Sequence, residues 1–337
     1  MTWKLYLFLL FGCLVLTAQS SSGPVVVGYG YTLPAPIYAA PGQLLTLILQ
    51  GVSGDPTQPV RAPAGADLPS SLAGLSAAYS NLAIAQGDGP AFLEVHPFFV
   101  YGLISPFFPY SEVRHLTAVT IQIPFSAKSC PQCPPYGIGS PFLFFAQNGV
   151  AGSNFNVEPL ADQVHILRTC DPFLSAFGEP VVTISSFSGL PCPSIVAHAD
   201  GSLVSMQKPA KSGEEVVAYA VGLGQTNPPL KTGKLVTAPV PTQTTFALDF
   251  NFHANAMATK PARGAPAPVY AGATPGYVGL YQINFVVPPV PAGTPPCVGQ
   301  PTVIQPGENE AWSNLTVSVG GLFSFDGARI CVAVPNP

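Results

Sequence analysis

The stretch that most constrains this chain is Tyr277-Val-Gly-Leu-Tyr-Gln-Ile-Asn-Phe-Val-Val-Pro288, because its alternation of side chains is that of a strand with one apolar face. Successive side chains of a strand point to opposite faces, so Tyr281, Ile283, Phe285 and Val287 share one side and Gln282 and Asn284 the other. Pro288 ends the run, having no N–H for the ladder. About half a chain earlier, Ala118-Val-Thr-Ile-Gln-Ile-Pro124 repeats the arrangement, with Val119, Ile121 and Ile123 inward, Thr120 and Gln122 outward, and a closing proline.

Two further matches follow in the same order. Pro41-Gly-Gln-Leu-Leu-Thr-Leu-Ile-Leu-Gln-Gly51 reads as a buried strand opened and closed by glycine, and Ser212-Gly-Glu-Glu-Val-Val-Ala-Tyr-Ala-Val-Gly222 has its length and punctuation. Leu68-Pro69 before Leu72 to Tyr79 corresponds to Val240-Pro241 before Thr244 to Phe250. Matches in one order indicate an internal repeat. A chain of 337 residues has room for about two domains of roughly 150 residues each. No long stretch holds a helical period, and the many short strands separated by turns predict two tandem immunoglobulin-like β-sandwiches. The expected division is a leader at 1–20, a first domain at 23–190 carrying an aromatic-rich insertion at 81–113, and a second domain at 191–337. In the second, Ile195 to Ala197 begins the fold and Arg329 to Val334 closes it.

The leader has the form of a secretory signal, with a charge at Lys4, an apolar core from Leu5 to Leu16 and the small-residue site Thr17-Ala-Gln-Ser20. A lipoprotein attachment at Cys13 fits less well, because bulky Phe11 precedes it and the apolar run continues past it. No later stretch offers the ~18–20 apolar residues of a membrane helix. Losing Lys4 from 12 basic residues leaves 11 against 16 acidic ones, a net charge of −5, and nucleic acid as a partner is excluded for want of a basic stripe. Proline (40) and glycine (33) are abundant and charge is sparse at 8%, yet the 47% hydrophobic content is too high for a disordered chain.

Six cysteines remain after the leader: Cys130, Cys133, Cys170, Cys192, Cys297 and Cys331. An even count in an exported chain reads as disulfides, and proximity in sequence favours Cys170 with Cys192, Cys297 with Cys331, and Cys130 with Cys133. Cys130-Pro-Gln-Cys133 has two other readings. A redox pair wants a helix N-terminus, whereas this motif follows a strand and precedes Pro134-Pro135. A zinc site wants four ligands, and no second pair is evident.

Several of these segments together resemble a known family: His198-Ala-Asp-Gly-Ser202, Gly213 to Gly224, Tyr270 to Asn284 and Asn314 to Gly321. They are similar to the uncharacterised C-terminal domain of many secreted acidobacterial proteins, first defined in Solibacter. The resemblance is close over Ile195 to Val334 and weaker over Ile37 to Phe125. It implies export and an immunoglobulin-like fold, and carries no activity, cofactor or catalytic residue.

No Gly-x-Ser-x-Gly elbow occurs, and His96, His115, His165, His198 and His253 are scattered. His198 beside Asp200 has the composition of a base and its orienter, but adjacent turn residues favour a turn-stabilising role. Glu214 and Glu215 point to opposite faces of one strand. Glu308 and Glu310, near Trp312, fit calcium less simply than solvated loop charge. Asn314-Leu-Thr316 matches a glycosylation acceptor but lies in a strand pattern. The insertion holds a candidate ligand platform of Phe98, Phe99, Tyr101, Phe107, Phe108 and Tyr110, though prolines cut it into strand-length pieces and packing in the core of the middle strands is the favoured account. The expectation is therefore a secreted or periplasmic protein without cofactor, metal or catalytic site. It serves as a structural or surface-interaction module for a protein or glycan, and a carbohydrate-binding module or a hydrolase with an unrecognised site are the alternatives.

Overall fold

The computed structural model describes residues 23–29, 37–54, 58–80, 89–100, 114–127, 141–169, 171, 193–297 and 312–334. The fold is all-β, with no helix among the described residues. In the earlier half the strands are β1 (Val25–Tyr29), β2 (Ile37–Ala39), β3 (Leu44–Gln50), β4 (Val60–Arg61), β5 (Ser71–Leu72), β6 (Leu75–Ser80), β7 (Ala91–Val100), β8 (Arg114–Gln122), β9 (Phe142–Gln147), β10 (Val150–Ala151) and β11 (Phe155–Pro159). The later half contributes β12 (His165–Ile166), β13 (Val196–Ala197), β14 (Glu215–Val221), β15 (Val240–Pro241), β16 (Ala247–Asn251), β17 (Tyr270–Ala273), β18 (Tyr281–Val286), β19 (Leu315–Gly320) and β20 (Phe325–Ile330).

Two ladders run in the same order. The first is β1-β3-β8-β7-β4 and the second β12-β14-β18-β17-β15, so that β3, β8, β7 and β4 take the places of β14, β18, β17 and β15. The likeness extends to single bonds. Gly42 N–H donates to Ile123 O and Ile123 N–H to Gln43 O; Gly213 N–H donates to Val287 O and Val287 N–H to Glu214 O. Both glycines hold a positive φ, 78° and 81°, a conformation that side chains with a Cβ avoid, which is why glycine opens both strands. The companion sheets also correspond, since β6-β9-β11 and β16-β19-β20 are each adjacent in that order.

Each half has an apolar cluster drawn from both of its sheets. Leu45, Leu47, Val119 and Ile121 meet Tyr79, Leu143 and Phe145 in the first. Val216, Ile283 and Phe285 meet Leu248, Val317 and Ala328 in the second. Ile123 and Val287 are also fully buried. Cys297 and Cys331 form a disulfide with Cα atoms 5.7 Å apart across a separation of 34 residues. It ties the loop after β18 to the residue following β20, and closing a loop of that length is worth about 3–4 kcal/mol in the chain-entropy account.

The structure departs from the sequence-based expectation in four places. Thr120 and Gln122 do face away from the core, yet both are buried. Thr120 Oγ1 lies 2.9 Å from Thr46 Oγ1, and Gln122 donates to Gly42 O at 3.1 Å while accepting from Gly233 N–H at 2.6 Å. The bond from Gly233 joins the two halves, helped by Phe125 N–H to Thr232 Oγ1 at 3.0 Å and by Leu44, Leu167 and Val221 in a shared apolar contact. Second, β7 lies inside the 81–113 segment expected as an insertion, where it occupies the place of β17. Third, β12 precedes the expected 190/191 division but pairs with β14, His165 opposite Val221. Fourth, the last long strand is Phe325–Ile330 rather than 329–334. Asp326 and Gly327 disguise it, being residue types depleted in strands; Asp326 has a use there described below.

Candidate functional site

Among the described residues, the clusters around His165 and Asp200 both hold backbone groups. His165, the first residue of β12, lies between two carboxylates: its Nε2 is 2.9 Å from Asp171 Oδ2 and its Nδ1 3.3 Å from Asp326 Oδ2. Arg168 reaches the other oxygen of Asp326 at 3.0 Å. Both ring nitrogens thus donate, leaving no lone pair to act as a base. The backbone N–H groups of Arg168 and Ile166 donate to Asp171 and Asp326 at 2.6 and 2.9 Å. The cluster clasps β12 to β20 and gives the edge of β20 internal partners instead of a free ladder edge.

Burial by itself would lower the proton affinity of His165, but its bonds and charge attraction to Asp171 and Asp326 outweigh that and raise its pKa. For Asp326, burial is likewise outweighed, by His165 and Arg168, and its pKa is lowered. The histidine's contribution to stability is complete below its unfolded pKa of about 6.5 and disappears as pH rises through the higher folded value. That of Asp326 is present above about 3.9 and disappears as pH falls through the lower folded value. The melting temperature should therefore fall as pH rises from 6.5, and His165→Gln should flatten that limb. An equal alkaline slope in the variant would show that the clasp does not titrate there.

His198 is oriented by Glu214, not by its neighbour Asp200. Its Nδ1 lies 2.5 Å from Glu214 Oε1 and its Nε2 3.1 Å from Lys208 O, so both ring nitrogens already face oxygen partners. Asp200 instead caps its turn, accepting from Ser202 N–H at 3.0 Å and from Lys208 Nζ at 2.5 Å. Glu215 points to the opposite face from Glu214 and accepts from Asn284 Nδ2 at 3.0 Å. The Asn314 amide is buried, donating to Pro295 O and Val332 O at 2.9 and 3.0 Å, which leaves no room for a glycan in the folded chain. Trp312 receives Arg329 over its ring at 5.4 Å. Among the described residues no group of three or more His, Cys, Asp or Glu is placed to hold a metal ion, and no helix is long and apolar enough to cross a membrane.

Of the platform aromatics, Phe98 and Phe99 lie on β7 opposite Leu116 and His115; Tyr101, Phe107, Phe108 and Tyr110 lie outside the described residues. So do Cys130, Cys133, Cys170 and Cys192, and Glu308 and Glu310.

The outer face of β14, β18 and β17 is open. Its counterpart on β3, β8 and β7 is closed, with Thr46, Thr120, Glu94 and His96 all buried. On the later ladder Tyr219 pairs with Gln282, and Tyr270 with Asn284, and these four side chains are only partly covered. Glu215 and Val286 end the face in solvent. Gln282 Nε2 donates to Asn284 Oδ1 at 3.1 Å and Asn284 onward to Glu215. Tyr270 lies along its strand: a Cβ at Gly272 would collide with its phenol, and its Oη donates to Ala273 O at 3.3 Å. Tyr277, 56% exposed, adjoins Tyr219, whose phenol is pushed up first by burial and then by the charge of Tyr277. The outward amides were legible as alternation, but the tyrosines beside them follow from strand register, which no local pattern records. No protein-family model matches the chain, and no curated protein matches it.

Proposed function

We propose that the chain is a secreted, non-enzymatic surface-interaction protein made of two tandem immunoglobulin-like β-sandwiches. The observation that carries this reading is the pair of ladders with one strand order, one with its outer face closed and one with it open. A duplicated fold in which one copy is packed against its surroundings and the other offers a face suits adhesion or binding. Three features add support. His165 and His198 each have both ring nitrogens against oxygen partners. The Cys297–Cys331 bond is of a kind that persists in oxidising compartments. The leader-like first twenty residues and the resemblance to a secreted domain family agree with export.

Expression with its own leader should yield an extracellular or periplasmic chain beginning near Ser21, which mass spectrometry of the recovered protein measures; an intact Met1 or a lipid on Cys13 would count against the reading. The recovered protein should bind its target saturably and release no product, whereas turnover would indicate the hydrolase alternative.

A further inference from the structure

Resting on that reading, we infer that the open face of β14, β18 and β17 binds a neutral polysaccharide, with Tyr219, Tyr270 and Tyr277 as apolar contacts and Gln282, Asn284 and Glu215 as hydroxyl partners. Sugars present hydroxyl edges and C–H faces together, and this surface presents the complement of both. The amides and carboxylate are already fixed by their mutual bonds at 3.1 and 3.0 Å, so they lose little freedom on binding. Gln282 Oε1, the second oxygen of Glu215 and the hydroxyls of Tyr219 and Tyr277 have no partner among the described residues, leaving donors and acceptors for a ligand. Tyrosine supplies broad contact area with few rotors and a polar tip. The bare backbone at Gly272 lets the Tyr270 ring lie along the sheet instead of standing off it.

Size and charge select the occupant. Three strands spaced ~4.8 Å apart and about five residues long at ~3.3 Å per residue make a face of roughly 200 Å² in plan. A stable protein interface needs about 800 Å² from each partner, so a second copy or another globular protein is poorly served, while a narrow polymer lying along the strands is well matched. Glu215 is the one formal charge among the six residues, and it is negative, which disfavours an anionic chain.

The test is affinity electrophoresis of the full mature protein through gels cast with an arabinoxylan, a mixed-linkage β-glucan or a galactomannan, with polygalacturonate as the charged contrast. At least one neutral polymer should retard the protein. Tyr277→Ala and Asn284→Ala should each weaken that retardation on the order of tenfold, the loss of a single good contact, with an unchanged melting temperature. The proposal is overturned if no neutral polymer retards the protein, or if both variants run as wild type. It is equally overturned if sedimentation shows a self-association that the variants abolish, since the face then binds a second copy. Failure of the broader reading looks different: retardation with new reducing ends would mean the face holds sugar but the protein is an enzyme.

Discussion

Asp162→Ala should destabilise the fold by about 3–5 kcal/mol, as read from the urea midpoint and slope. The Asp162 carboxylate is fully buried and accepts from three consecutive backbone N–H groups in the turn between β19 and β20: Leu322 at 2.7 Å, Phe323 at 3.1 Å and Ser324 at 2.8 Å. The Ser324 hydroxyl adds a fourth bond at 3.0 Å. An unpaired buried donor costs about 1–3 kcal/mol, and alanine strands several at once; relief of the buried charge offsets part of the loss. Asp162→Asn keeps one carbonyl oxygen and should lose roughly half as much. A loss below 1 kcal/mol for alanine would mean that water reaches the turn and replaces the carboxylate. The position also matters for the chain's course: Asp162 lies between β11 and β12, so one side chain anchors the passage between the halves to the closing hairpin. It holds Leu322 and Phe323, 64% and 56% exposed, in fixed positions at the hairpin's tip.

What was legible in the sequence is what repeats locally. Alternation in 119–123 and 281–287 identifies core residues because each strand has one face on an apolar cluster, and the glycine pairs 42/213 and 51/222 mark strand ends because all four hold positive φ. Long-range pairing leaves no such trace. Ile166 meets Asp326 at a separation of 160 residues, and Gln122 meets Gly233 at a separation of 111. Neither partner is marked by any nearby pattern. Thr120 reads as outward and polar, hence solvated; it is buried because it and Thr46 satisfy each other across the sheet. The candidate binding face was half legible for the same reason, its amides visible as the polar phase of one strand, Tyr219 and Tyr270 lying on two others and Tyr277 in the connection before β18.

Phe285→Ala should cost about 3–5 kcal/mol, the usual range for deleting a buried phenylalanine, and Val286→Ala, one residue on, should stay within about 0.5 kcal/mol. Phe285 is fully buried and its ring lies 6.2 Å from that of Phe250, so its loss opens a void between β18 and β16. Val286 is 44% exposed on the opposite face. A register slip of one residue would exchange the two positions, so the contrast between neighbours reads the register directly, and comparable losses at both would refute it. Ile121→Ala in the first apolar cluster, likewise fully buried, separates local from shared stability. Thermal unfolding of the two variants should lower one transition each if the halves melt independently. The bonds from Gln122 to Gly233 and from Phe125 to Thr232, with the apolar contact of Leu44, Leu167 and Val221, instead favour coupling, in which either substitution lowers a single common transition.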